Sequence, residues 1–239
     1  MTMILPSYVS CPHCRCVLQE DRVFSGSTDD SILWSDGYMD APHLPQKVEA
    51  VRCPSCKRPF FSKDAELAPY ILRWPFEDSS SEPGGKRVIA DNPLTNEKFY
   101  DIPPRSEAAD LDALMELIAQ TVDRDRLRYL RKGTWHLANH LYRKDCEVLS
   151  PFIRNDERRT FTVTKAEFNA NIESLIALLE DDRGEEQVMK AEALREIGKH
   201  AEAIAALRGI AAKFSWVADQ ICSKAQAGES AVFVLHRNG

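Results

Sequence analysis

The chain has 239 residues, 44% of them apolar, which is enough for one large domain or two small ones with a sizeable core. Its formal charge of −6 disfavours a general nucleic-acid binder, which needs clustered Lys and Arg to meet phosphates. Residues 1–10 lack the charged start and long apolar run of a secretory signal, and no run of about 18 apolar residues is present to span a bilayer. The expectation is a cytoplasmic protein with reduced thiols.

Residues 1–70 lack helical periodicity and carry two matched cysteine pairs, Cys11-Pro12-His13-Cys14 and Cys53-Pro54-Ser55-Cys56. Short β-prone pieces flank each pair: Tyr8 to Ser10, Val17 and Leu18, Val48 to Arg52, and Phe60 with Phe61. The pattern predicts two hairpins with sulfurs at their tips. Cys11, Cys14, Cys53 and Cys56 would then bind one structural Zn²⁺ in a closed tetrahedral shell, with an iron centre on the same sulfurs as the alternative. A closed shell leaves no position for a reacting group, so no catalytic residue is assigned. Zinc-finger analogy puts the binding free energy at about 10–16 kcal/mol, more than a small β module gains from its core. Cys16 competes as a ligand, but its Cys-x-Cys step fits the turn less well. His13 and His43 could replace a sulfur; His13 lies inside the turn and is expected to face solvent.

Residues 15–52 separate the pairs, a stretch longer than the roughly 15–20 residues usual between such pairs. Within it, Ile32-Leu33-Trp34-Ser35-Asp36-Gly37-Tyr38-Met39 reads as an extra hairpin, or a loop over the metal site, turning at Asp36-Gly37 and ended by Pro42 and Pro45. Arg15, Trp34, Tyr38, Lys57, Arg58, Phe60 and Phe61 could stack bases and hold phosphates. Over residues 1–70, however, seven Lys or Arg face nine Asp or Glu, so Trp34, Phe60 and Phe61 are expected in a core or seam.

Residues 78–86 read as a linker, and prolines keep the chain irregular to Arg105, save for a short strand at 87–90 that could pair with 70–72. A helix is expected from Ser106 through Leu111, Leu114, Met115, Leu117, Ile118 and Val122, then further helices at 125–130 and 134–144. The stretch 124–144 is the most basic of the chain. His136 and His140 share a helical face there, but Leu137 excludes the HExxH metalloprotease pattern. A solvated face is expected, or else a groove for an acidic partner segment or a nucleic-acid backbone. After the irregular 147–162, Thr164 and Glu167 form a capping box ahead of Phe168, Ile172, Leu175, Ile176 and Leu179. Residues 181–184 break that helix. Helices at about 185–198, 201–213 and 215–227 follow, with an extended segment at 231–235. Cys146 and Cys222 read as small buried apolar residues.

The paired turns resemble those of zinc ribbon proteins over about residues 8–62. Within 184–215, Ala191, Leu194, Gly198, Ala203, Ile204, Leu207 and Ala211 resemble the consensus of a tetratricopeptide repeat, a helix–turn–helix unit of about 34 residues that usually binds proteins. His200 stands where an aromatic is usual, and Ser215 where proline is common. Together the two parts resemble a group of bacterial proteins. The resemblance implies an α+β chain: a zinc ribbon domain with an inserted hairpin at 1–77, an irregular connector at 78–105, and a repeat-like helical domain at 106–239. It also implies a non-enzymatic, zinc-stabilised scaffold or adaptor for a protein partner. The alternative is a nucleic-acid-associated factor using the ribbon and the basic helix 124–144. An enzyme sited in the connector ranks third, because no Walker loop, GxGxxG or GxSxG motif is present.

Overall fold

The computed structural model describes residues 3–44, 48–68, 90–91, 98–99, 103–143, 163–180 and 183–238. The linker expected at 78–86, the pairing of 70–72 with 87–90, the irregular 147–162 and Cys146 lie outside these residues. The fold is α+β, with small antiparallel sheets followed by a mainly helical region. In chain order the strands are β1 (Met3–Ser10), β2 (Val17–Ser25), β3 (Ile32–Trp34), β4 (Met39–Asp40), β5 (Ala50–Arg52), β6 (Pro59–Phe61), β7 (Glu66–Leu67), β8 (Ala90–Asp91), β9 (Lys98–Phe99) and β10 (Glu107–Ala108). The helices are α1 (Leu111–Gln120), α2 (Arg124–Asn139), α3 (Lys165–Ile176), α4 (Gly184–Glu196), α5 (His200–Ala206) and α6 (Ser215–Gln226), before a last strand, β11 (Val234–Arg237).

The chain divides into two compact units that interleave in sequence. A β unit comprises Thr2–Ser25 and Lys47–Ala109, and a helical unit takes in Gly26–Gln46 and Asp110–Gly239.

In the β unit, β1 and β2 form an antiparallel hairpin closing at Ser10 opposite Val17, and β5 and β6 form another closing at Arg52 opposite Pro59. Each cysteine pair sits at a hairpin tip, as the flanking β-prone residues predict. β7 extends the first hairpin and β10 the second, giving two three-stranded sheets. β8 and β9 pair with each other. The core is small: Val9, Leu18, Val51 and Phe60, together with Cys11 and Cys53. Burying one aliphatic or aromatic side chain contributes about 1.5–3 kcal/mol, while each ordered residue costs about 1–2 kcal/mol of backbone entropy. Tyr8, Ala50 and Phe61 are buried in the same unit, so the two fully buried sulfurs lie among a modest set of apolar side chains.

The expected helix start at Ser106 is corrected. Glu107 and Ala108 pair with Arg52 and Val51 as β10, and α1 begins at Leu111. Asp110 is the N-cap, its carboxylate accepting from the Ala113 amide at 3.0 Å. The helices expected at 125–130 and 134–144 are one helix, α2, capped by Asp123. Gly133 does not interrupt it, because a single glycine weakens a helix by only about 1 kcal/mol and the strong helix formers Leu130, Arg131 and Lys132 precede it. Thr164 and Glu167 form the expected capping box on α3.

Successive helices pack as neighbours in the helical unit. Trp135 lies fully buried against Ile172, Leu175, Leu179 and Ala193. A second cluster joins Ala191, Leu207, Val217, Ala218 and Ile221. Gly198, at φ +84°, ends α4 in the left-handed conformation that glycine adopts without strain. α5 stops at Ala206, short of the expected 213, where the chain turns through Gly209 at φ +74°.

The hairpin expected at 32–39 is present as β3 and β4, turning at Asp36-Gly37 with Gly37 at φ +75°. Its hydrogen-bond partners lie in the helical unit. β11 pairs along β3, with Val234 opposite Trp34 and Arg237 opposite Ile32. Of the two readings of this segment, the hairpin is the one present; Asp36 is buried, and the groups that satisfy it come from α2 and the residues after it. Among the described residues, no helix is long and apolar enough to cross a membrane.

Candidate metal centre

The two hairpin tips are near copies of one another. The Arg15 amide donates to the Cys11 carbonyl at 2.9 Å, and the Lys57 amide to the Cys53 carbonyl at 2.8 Å. Each turn then closes by a bond back across the hairpin, Cys11 N to Cys16 O at 2.9 Å and Cys53 N to Arg58 O at 3.1 Å. Arg15 (φ 62°) and Lys57 (φ 61°) both adopt the left-handed conformation that non-glycine residues seldom take. That repeated strain lets backbone amides converge on sulfur. Cys11 Sγ accepts from the amides of His13 and Cys14, and Cys53 Sγ from those of Ser55 and Cys56.

The two tips bring five sulfurs together. Cys11 Sγ lies 3.9 Å from Cys56 Sγ, and Cys14 Sγ lies 3.7 Å from Cys53 Sγ. A tetrahedral ion with metal–sulfur bonds of about 2.3 Å separates its ligands by about 3.8 Å, so both distances match edges of such a shell. Cys16 is also present, 3.2 Å from Cys14 and 3.3 Å from Cys53. Cys11, Cys14, Cys16 and Cys53 hold their sulfurs within 4.8 Å of one another. The cluster thus places four or five cysteines at metal-binding distance.

The thiols differ in their readiness to ionise. Burial pushes Cys11 up to about 11 and Cys16 up to about 12. Cys14 is held below the ordinary thiol value by the Cys16 amide, then by the Cys16 thiol. Burial also opposes ionisation of Cys53, but the amides of Cys56 and Ser55 and the Cys16 thiol outweigh it and lower that group. A dication at the centre would reverse the burial cost, because it supplies the charge that the core lacks.

Neither histidine near the pairs is placed as a ligand. His13 donates from Nε2 to the Pro59 carbonyl at 3.1 Å, with its ring edge-on to Phe60. His43 lies in the helical unit, its Nε2 3.7 Å from an Asp30 carboxylate oxygen. Cys222 is half-buried beside the apolar cluster of α4 and α6, as expected of a packing residue.

A second polar constellation, in the helical unit, is one that sequence reading missed. Asp36 and Arg143 form an ion pair with both side chains fully buried. Asn139 Nδ2 donates to Asp36 Oδ2 at 2.9 Å and to Glu196 Oε2 at 3.0 Å, while Trp135 Nε1 donates to Glu196 Oε2 at 2.7 Å. His136 Nε2 donates to the Asp36 carbonyl at 3.1 Å, and His140 Nδ1 accepts from Arg143 at 3.0 Å. Arg195 grips Glu192 in a fully buried bidentate pair and reaches the carbonyls of Glu229 and Ala231. Burial pushes His136 down to about 4 against the pull of Asp36, and burial with the Arg143 charge does the same to His140. Glu196 is held well above the usual carboxylate range by burial, then by the charges of Glu192 and Asp36. The helical spacing of His136, Asn139, His140 and Arg143 was legible, but Asp36, the partner of His136, Asn139 and Arg143, is about a hundred residues away in sequence.

The basic stretch 124–144 is corrected by the same contacts. Over residues 124–143 it is a partly covered face rather than a fully solvated one. Arg124 donates to the Leu178 carbonyl, Arg128 pairs with Glu186 and Asp125, and Arg131 meets Asn171. Compared with known proteins, the chain matches no family model, no curated protein and no solved structure.

Proposed function

We propose that the chain is a non-enzymatic, zinc-stabilised scaffold or adaptor. Its β unit is a zinc ribbon folded around one structural Zn²⁺ on Cys11, Cys14, Cys53 and Cys56, and its helices are tetratricopeptide-like units offering a surface to a protein partner. The observation that carries the reading is the sulfur geometry. Two opposite edges of 3.9 and 3.7 Å suit a tetrahedral four-thiolate shell, and such a shell has no open position for chemistry. The packing of α4 beside α5, the full burial of Ala191 and Ala203, and Gly198 at the turn support the repeat-like reading.

The nucleic-acid alternative draws less support, because Arg124, Arg128, Arg131 and Arg143 already meet carbonyls, carboxylates and amides of the same chain. The test begins with metal analysis of freshly reduced full-length protein, which should return one zinc per chain. Affinity capture from native lysate should then enrich one specific partner for wild type and lose it for Cys53→Ser. Anisotropy titration at low salt should show no binding to DNA or RNA. Binding that falls steeply with salt would replace the adaptor reading with the nucleic-acid one.

A further inference from the structure

The β unit carries one sulfur more than a tetrahedral ion takes. Two four-sulfur sets overlap: Cys11, Cys14 and Cys53 belong to both, completed either by Cys56, 3.9 Å from Cys11, or by Cys16, 3.3 Å from Cys53. The second set holds its sulfurs within 4.8 Å of one another; in the first, whose Cys11–Cys56 and Cys14–Cys53 edges match a filled shell, Cys16 is left over.

This surplus thiol lies where it can react. Its sulfur is 3.2 Å from Cys14 Sγ, closer than the roughly 3.8 Å between two ligands of a filled tetrahedral shell. Arg15, in the left-handed conformation between them, bends the backbone so that both side chains leave on one side. Exposure sets these two apart from the fully buried pair, with Cys56 half-buried like Cys16. Cys14 is exposed and Cys16 half-buried, whereas Cys11 and Cys53 are fully buried. The shortest sulfur–sulfur approach is therefore also the one that solvent reaches.

We propose that Cys14 and Cys16 are an oxidisable dithiol that hydroperoxides close to a disulfide, expelling the ion. The proposal rests on the metal reading above. Cys14 sulfur attacks one peroxide oxygen, the O–O bond breaks, and Cys14 becomes a sulfenic acid as the first water or alcohol leaves. Cys16 sulfur then attacks Cys14 sulfur. The S–S bond forms as the S–O bond breaks, and the hydroxyl departs as water with the Cys16 proton. Two thiols lose two electrons and the hydroperoxide gains them. Only Cys11, Cys53 and Cys56 then remain as thiolates, one short of a closed shell, and the ion leaves. A small-molecule dithiol reductant plus Zn²⁺ reverses the step by thiol–disulfide exchange.

The test uses zinc-loaded, full-length protein treated with hydrogen peroxide. Zinc release is followed with a colorimetric chelator, and the linkage is mapped by peptide mass spectrometry. Wild type is expected to release its zinc while a peptide linking Cys14 to Cys16, two hydrogens lighter, appears at the same rate. Cys16→Ser should hold one zinc before treatment and release it about tenfold more slowly, since it lacks the resolving thiol. Equal release rates in the two proteins would overturn the proposal. So would a disulfide joining other cysteines in wild type, a measurement that does not depend on how the variant folds. A Cys16→Ser protein that keeps its helical circular dichroism but binds no zinc would also overturn it, by making Cys16 a required ligand. Zinc content before peroxide tests the metal reading separately: wild type without metal fails that reading, whereas metal present with no Cys14–Cys16 link fails only this one.

Discussion

Replacing Arg143 by methionine removes a guanidinium from the interior of the helical unit and leaves most of its apolar volume. Asp36, fully buried, would keep only the Asn139 amide at 2.9 Å and the Tyr38 backbone amide at 3.1 Å as donors. Breaking a buried ion pair from one side costs about 3–5 kcal/mol, because an uncompensated charge stays behind. Loss of the guanidinium from the face of Tyr38, 4.3 Å from the ring centre, adds roughly 1–2 kcal/mol. The sum corresponds to a fall in melting temperature of about 10–20 °C for a unit of this size. Urea unfolding followed by tryptophan fluorescence suits the measurement, since Trp34 and Trp135 are both buried in this unit. Asp36→Asn keeps the turn acceptor while removing the charge. The double variant Asp36→Asn/Arg143→Met is therefore expected to recover more than half of the single loss, a coupling of about 2 kcal/mol or more. A loss below about 1 kcal/mol for Arg143→Met, or strict additivity in the double variant, would refute the claim that Asp36 and Arg143 form a coupled, buried ion pair.

Zinc removal or Cys53→Ser should collapse the β unit and spare the helices: amide exchange should become fast over β1, β2, β5 and β6, with far-ultraviolet helicity largely kept. Acid should destabilise the helical unit. His136 and His140 take up protons near pH 6.5 when unfolded but only near 4 when folded, so stability falls as pH drops through that window, by up to about 1.4 kcal/mol per unit for each group. Glu196 acts in the opposite sense, since its raised value favours the fold at low pH and that contribution is lost as pH rises. The two trends place the urea midpoint highest near pH 6.5; a midpoint at pH 5 equal to that at 6.5 would contradict the buried-histidine account. Gly133→Ala should raise the midpoint by about 0.5–1 kcal/mol, because the added methyl meets Leu114 Cδ1 at an ordinary 3.5 Å and the helix loses a flexible residue.

Local chemistry was readable from residue order wherever the deciding partners are close in sequence. The twin Cys-Pro-x-Cys turns, the Thr164–Glu167 capping box and the Asp36-Gly37 turn each depend on residues within a few positions of one another. Three features resisted for one shared reason, that their partners are distant. Residues 107–108 pair with β5 rather than opening a helix. Residues 26–46 belong with helices that begin more than sixty positions later. Asp36 looks like an ordinary turn residue until Arg143 and Asn139 are placed beside it. Cys16 is a different case. Its spacing made it the weaker ligand by turn geometry, yet the second hairpin brings Cys53 to 3.3 Å from it, a proximity that the first turn alone does not encode.

The pairing of β3 with β11 bears on how the molecule is made. Phe233 donates its amide to Ser35 Oγ across 198 positions, and Arg195 holds the carbonyls just before it. Closing so large a loop costs about 5 kcal/mol of chain entropy by the logarithmic law. On a translating ribosome, β3 must wait for its strand partner until residues 234–237 have been made. Meanwhile the two cysteine-bearing hairpins, complete once Phe61 has emerged, can already pair their strands. A nascent chain halted before residue 231 would thus display a finished front module and an unsealed helical one, a state that quality-control proteases recognise by its exposed core.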